Sequence, residues 1–195
     1  MRPHTLTVPK PLLHVAGKPI VQRLVEDIVK VVHENIEEIA FIIGPSEQFF
    51  GKEIQAHLLN VADQLGAKGS INIQHEALGT AHAIYQAKQA LKGNVIVAFA
   101  DTLFRADFKL DANVDGTIWV KEVEDPRAFG VVQLNEEGTI VDFVEKPDNP
   151  ESNLAIIGIY YFKDGAAVLR EIEYLLDNDI REKGEYQLTN VLDSL

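Results

Sequence analysis

The chain has 195 residues, 46% of them hydrophobic, enough for one sizeable core and too few for two independent ones. Its 18 Lys and Arg stand against 30 Asp and Glu, and the resulting charge of −12 has the wrong sign for a protein that binds by neutralising a nucleic-acid backbone. Zero cysteines remove disulfides, thiolate zinc sites and a cysteine nucleophile, and neither a membrane span of ~18 apolar residues nor a signal-peptide pattern is present, so a soluble cytoplasmic chain without a membrane partner is expected.

The opening, Met1-Arg2-Pro3-His4-Thr5 through Pro9-Lys10-Pro11-Leu12-Leu13 to Gly17-Lys18-Pro19-Ile20, sets prolines and lysines among apolar residues. Proline fixes φ and lacks the N–H that a helix interior or a central strand needs, so an ordered loop is expected, with a helix beginning near Lys18. Clamped in that loop, Lys10 could present one cation to a phosphate; a solvated lysine on a surface turn is the other reading. Val21, Leu24, Val25, Ile28, Val29 and Val32 make a helical stripe. Ile39-Ala40-Phe41-Ile42-Ile43, stopped by Gly44-Pro45, reads as a strand buried on both faces. A helix from Glu47 to Leu65, a short strand Ile71–Gln74, a helix from Thr80 to Leu91 and a strand Val95–Ala100 ending at Asp101 follow.

This alternation predicts an α/β fold with a Rossmann-like, open, mostly parallel mixed sheet flanked by helices. Beyond Asp115 the period becomes strand-like at Thr117–Val120, Gly130–Leu134, Thr139–Val144 and Ile156–Phe162, and two helical segments close the chain. The strand-rich half is expected to cover the carboxyl ends of the parallel strands, where open α/β sheets bind ligands. Asp101, a lone carboxylate at a strand end, needs a partner there; a helix cap is the alternative. The six histidines show no metal-ligand spacing and read as structural or solvated.

Read together, Arg2-Pro3, Pro9-Lys10-Pro11-Leu12, Gly17-Lys18-Pro19, Gln74 with Leu78-Gly79-Thr80-Ala81, Ala100-Asp101, Asp125-Pro126 with Phe129-Gly130-Val131, Glu145-Lys146-Pro147, Gly158-Ile159-Tyr160 and Glu185-Tyr186-Gln187-Leu188-Thr189-Asn190 form an ordered series. This series resembles the sugar-1-phosphate nucleotidyltransferases over nearly the whole chain, and most of all the glucose-1-phosphate thymidylyltransferase-like enzymes. The resemblance implies the nucleotide-diphospho-sugar transferase fold as a single domain over 1–195, with a nucleotide-binding half to about 115 and a sugar-phosphate-binding half from 116. It also implies a strand and a G-x-G-T-R phosphate loop ahead of Met1. On that reading the chain is truncated at its N-terminus, and its turnover is expected to be slow or absent.

The implied reaction joins a nucleoside triphosphate, dTTP or UTP, to a sugar 1-phosphate such as glucose 1-phosphate, giving a nucleotide-sugar and pyrophosphate with Mg²⁺. By resemblance, Lys10 and Asp101 are catalytic, Gln74, Gly79 and Thr80 bind the nucleotide, and Gly130, Glu145, Lys146 and Gly158 bind the sugar phosphate. The planar amide of Gln74 matches the O4 and N3–H edge of uracil or thymine, although a strand-end Gln facing water is the plain alternative. Gly79 would admit the base closely, and Thr80 could also cap its helix. Glu145 and Lys146 could equally be one exposed charge pair. The metal ligands implied are Asp101 and Asn190; most relatives place an Asp at the latter position, and the N-acetylglucosamine-1-phosphate uridylyltransferases an Asn. Those uridylyltransferases, a mannose-1-phosphate guanylyltransferase, and a catalytically silent sugar-nucleotide-binding subunit are the alternative functions. Homo-oligomeric assembly is left open.

Overall fold

The computed structural model describes residues 9–32, 34–101, 110–111 and 113–195; the Arg2-Pro3 piece of the family pattern, His4 and His33 lie outside them. The chain forms two compact units, Met1–Glu76 with Phe99–Ala112, and Ala77–Ala98 with Asn113–Leu195. In the first, Pro9 and Pro11 start a 3-10 turn over Lys10–Leu12, where the missing proline donor costs nothing, and Leu12 turns inward, 7% exposed. A tight hairpin, β1 (His14–Val15) with β2 (Lys18–Pro19), bends through Ala16 and Gly17, both at positive φ. The guanidinium of Arg23 donates to Val15 O and Ala16 O, each at 2.6 Å, and holds that bend.

Arg23 lies on α1 (Ile20–Val32), whose apolar stripe buries Ile20, Val21, Leu24 and Val31. The next strand, β3 (Glu38–Ile43), is followed by α2 (Glu47–Phe50), α3 (Lys52–Gln64) and β4 (Lys68–Ile73). The single helix expected over 47–65 is broken at Gly51, whose ψ of 176° is extended; a β-carbon there would stand 2.8 Å from Glu47 O. β3 and β4 pair in parallel from Glu38↔Lys68 to Ile43↔Ile73. Leu12, Val21, Phe41, Ile43, Leu58 and Ala62 form the core beneath them.

The second unit begins with α4 (Thr80–Gln86), which tightens into a 3-10 turn at Lys88–Ala90 where one longer helix was expected. It continues with β5 (Val95–Ala98), β6 (Gly116–Glu122), β7 (Gly130–Leu134), β8 (Ile140–Glu145) and β9 (Leu154–Phe162), and closes with α5 (Gly165–Asp177) and α6 (Leu188–Leu192). The α/β class holds. Parallel pairing, however, is confined among the described residues to β3 and β4, because β5 pairs antiparallel with β9 in a five-stranded sheet. β9 is the hub of that sheet. β6 runs along one of its edges, while the other is shared by β5 at Ile159–Phe162 and β7 at Ala155. Between these partners the ladder to β6 slips, with Ile156 opposite Val120 and Tyr160 opposite Ile118, and Gly158 takes the φ of +77° that the resulting bulge demands.

Candidate active site

Each unit carries its own group of the residues singled out by sequence. In the first, the 3-10 turn holds Lys10 with its Nζ 4.0 Å from Asp101 Oδ2, both side chains about half exposed at 52% and 56%. The partner that Asp101 needed is therefore a lysine, at a separation too long for a hydrogen bond and open to water. Gln74 sits just past the carboxyl end of β4, where its backbone N–H donates to Ile43 O at 2.9 Å and extends the parallel ladder by one bond. A half-buried amide at a strand terminus is well placed to meet a planar ligand edge.

In the second unit the chain brings Gly130 opposite Glu145 at the end of the β7–β8 ladder. A β-carbon on Gly130 would lie 3.1 Å from Glu145 Oε2, 3.4 Å from Ile156 Cδ1 and 3.6 Å from Thr189 Cγ2, so the bare glycine lets the carboxylate, β9 and α6 close tightly on the strand. Lys146 Nζ reaches Glu145 Oε1 at 3.2 Å, with the carboxylate side chain only 13% exposed. Burial first and the Glu145 charge second push the Tyr160 phenol upward, which keeps that buried hydroxyl neutral beside the carboxylate. Gly158 is buried in the β9 bulge.

Thr80 and Gly79 both meet the segment that leads into α6. Thr80 does not cap its own helix. Its Oγ1 accepts from Leu188 N at 2.8 Å and donates to Gln187 Oε1 at 3.3 Å, satisfying the first orphan N–H of α6. Gly79, at φ +115°, lies against the backbone of Tyr186, with Ala81 N donating to Tyr186 O and Tyr186 N to Leu78 O. Its freedom serves this crossing of two backbones. The crossing carries the Glu185–Asn190 segment, and there the structure adds residues that the sequence pattern alone did not separate. Thr189 Oγ1 and Asn190 Oδ1 are buried with no hydrogen-bond partner among the described residues, and Asn190 Nδ2 donates weakly to Glu182 Oε2 at 3.4 Å. Buried oxygens without donors are candidates for a bound ligand or ion. Lys183, also unforeseen, donates from Nζ to Glu145 O and Lys146 O, each at 3.0 Å. Only the Lys183-Gly184 turn signal marked it in sequence.

No three His, Asp or Glu gather as a metal cluster among the described residues, and no helix among them is long and apolar enough to cross a membrane. Each taken by itself, the Asp101 carboxylate of the first unit and the buried Asn190 amide oxygen of the second are oxygen donors of the kind that Mg²⁺ takes.

The residues singled out by sequence thus form two groups on an α/β fold, a lysine–aspartate pair with a strand-end glutamine in the first unit and a glutamate–lysine corner in the second. The nucleotidyl transferase family model matches residues 1–191, and the chain belongs to that family. It is 30% identical to the bifunctional protein GlmU of Methanococcus vannielii over 204 residues, covering 99% of this chain and 44% of that protein. It is 32% identical to the low-salt glycan biosynthesis nucleotidyltransferase Agl11 of Haloferax volcanii over 202 residues, covering 100% and 53%. The chain thus spans about half the length of these relatives. The nucleoside-diphosphate-sugar pyrophosphorylase of Vibrio cholerae shares the fold with a TM-score of 0.76 at 20% identity, covering 95% of this chain and 78% of that one.

Proposed function

We propose that the protein transfers a nucleotidyl group from dTTP or UTP to a sugar 1-phosphate, with glucose 1-phosphate as the first candidate. The observation that carries this reading is the corner in which the Glu145–Lys146 ion pair borders the bare Gly130 and Thr189. A carboxylate accepts from sugar hydroxyls and an ammonium meets a phosphate. Family membership supports the reaction class. A sugar-phosphate oxygen forms a bond to the α-phosphorus as the bond to the β-phosphate oxygen breaks, and pyrophosphate leaves without a covalent enzyme intermediate.

In this reading Lys10 attends the triphosphate, Gln74 pairs with the pyrimidine edge, and Gly130, Glu145, Lys146 and the bulge at Gly158 receive the sugar phosphate. Gly79 and Thr80 support the nucleotide side by fixing the segment that bears Asn190. Asp101 and Asn190 are each proposed as an oxygen donor to Mg²⁺, which would neutralise phosphate charge when bound. A cytoplasmic setting goes with this function. A second reading, transfer of uridylyl to N-acetylglucosamine 1-phosphate, is favoured by one residue, Asn190, where the resemblance associates an amide with that sugar.

Thermal-shift titrations in Mg²⁺ test the assignment, because stabilisation tracks affinity by mass action. dTTP or UTP should raise the melting temperature more than GTP or ATP, and Gln74→Glu should weaken pyrimidine binding by about 1–3 kcal/mol through a lost donor and an added charge. A clear preference for GTP overturns the base assignment. Comparing glucose 1-phosphate with N-acetylglucosamine 1-phosphate in the same assay decides between the two sugars.

A further inference from the structure

We infer that Lys183 is a positioning residue that straps the Glu145–Lys146 corner into its ligand-ready shape; the consequence for binding rests on the function proposed above. Lys146 has a φ of +45°, in the left-handed region that side chains avoid, and the following Pro147 further restricts its backbone. Such a conformation persists only where its surroundings over-determine it. Two contacts do so here. Lys146 N donates to Phe129 O at 3.1 Å, and the Lys183 ammonium donates to the carbonyls of Glu145 and Lys146 at 3.0 Å.

The strap is itself held rigidly. Glu182 and Glu185 exchange backbone hydrogen bonds of 2.9 and 3.0 Å, closing a tight turn whose central residues, Lys183 and Gly184, have φ of +51° and +86°. Positive φ at both positions is the sign pattern of a type I′ turn, which normally takes Asn-Gly. A lysine there is unfavourable locally, and its side chain reaches across 37 and 38 residues of sequence to a corner strained in the same way. The molecule uses the same device elsewhere. Arg23 bridges Val15 O and Ala16 O, where Ala16 has a φ of +47°, but that bridge is local and serves a hairpin. The Lys183 bridge instead fixes the peptide between the carboxylate and the ammonium that form the 3.2 Å pair, and so sets where both point. Lys183 spends two of its ammonium donors on backbone oxygens and acts through the corner.

The test compares the full chain with Lys183→Ala and Lys183→Arg by amide hydrogen exchange and by calorimetry with glucose 1-phosphate, N-acetylglucosamine 1-phosphate and dTTP. In Lys183→Ala, exchange at Glu145 and Lys146 should quicken about tenfold or more, while the core amides of β9 keep their protection; losing a charge-assisted bond is of that order. Sugar 1-phosphate binding should weaken by a similar factor with dTTP affinity unchanged. Lys183→Arg, which can bridge two carbonyls as Arg23 does, should retain both properties. Unchanged exchange at Lys146 in Lys183→Ala overturns the strap, and so does weakened sugar-phosphate binding without faster exchange, since that marks direct contact with the ligand. If the parent chain binds none of the sugar phosphates, the proposed function fails, and the exchange experiment decides the strap by itself.

Discussion

Gly79 and Tyr186 cross so closely that a β-carbon on Gly79 would stand 2.4 Å from the Tyr186 carbonyl oxygen. Backbone, unlike the end of a flexible side chain, cannot yield cheaply, and φ of +115° is unfavourable for any L side chain. Gly79→Ala should therefore cost about 2–4 kcal/mol in urea unfolding, combining overpacking with backbone strain. Gly66, at φ +74° with open space around its Cα, is the control, and Gly66→Ala should cost only about 1–2 kcal/mol. Equal losses in the two variants would show that the crossing is loose and that Gly79 matters only for its φ.

The ion pair of Lys10 and Asp101 leads to the opposite expectation. Two half-exposed side chains 4.0 Å apart contribute little to folding, so Lys10→Ala and Asp101→Ala should each melt within about 2–4 °C of the parent. Nucleotide binding should suffer instead. Lys10→Ala should lower dTTP affinity at every Mg²⁺ concentration, whereas the Asp101→Ala defect should shrink as Mg²⁺ is raised, because metal occupancy is what it lost. A drop in melting temperature beyond 10 °C, on the order of 2–5 kcal/mol, would make either residue structural.

Stability should also depend on Asp193, which follows α6. Burial, and then the carboxylates of Asp142 and Glu182, push its carboxyl above the ordinary value of 3.8. A carboxyl raised in the folded state binds its proton more tightly there than in the unfolded chain, so ionisation costs stability. The penalty is absent below the ordinary Asp value, grows as pH rises through the raised one, and is complete at neutral pH. Asp193→Asn should consequently melt above the parent at neutral pH and lose that advantage below about pH 3.8, as followed by circular dichroism. An asparagine variant no more stable than the parent at neutral pH would count against a native-state carboxyl held above its ordinary value.

By itself the sequence determined the α/β class and the places of its main helices and strands, since the apolar period of α1 and the runs of β3, β5 and β9 are local properties of a few adjacent turns or pleats. It also singled out Lys10, Asp101, Gln74 and the Glu145-Lys146-Pro147 corner, because their ordered spacing along the chain matches a family pattern. What it left undetermined depends on partners far away in sequence. The antiparallel pairing of β5 with β9 was decided by a hub strand with both edges available, and strand periodicity says nothing about which edge is taken. Thr80 looked like a cap for α4, yet its hydroxyl serves Leu188, 108 positions on. Gly79 owes its place to the backbone of Tyr186, and Lys183 owes its role to two carbonyls on another segment. A hydrogen-bond donor and its acceptor carry no mutual label in the chain, so only tertiary packing, which sets the distances, decided which polar groups of this protein meet.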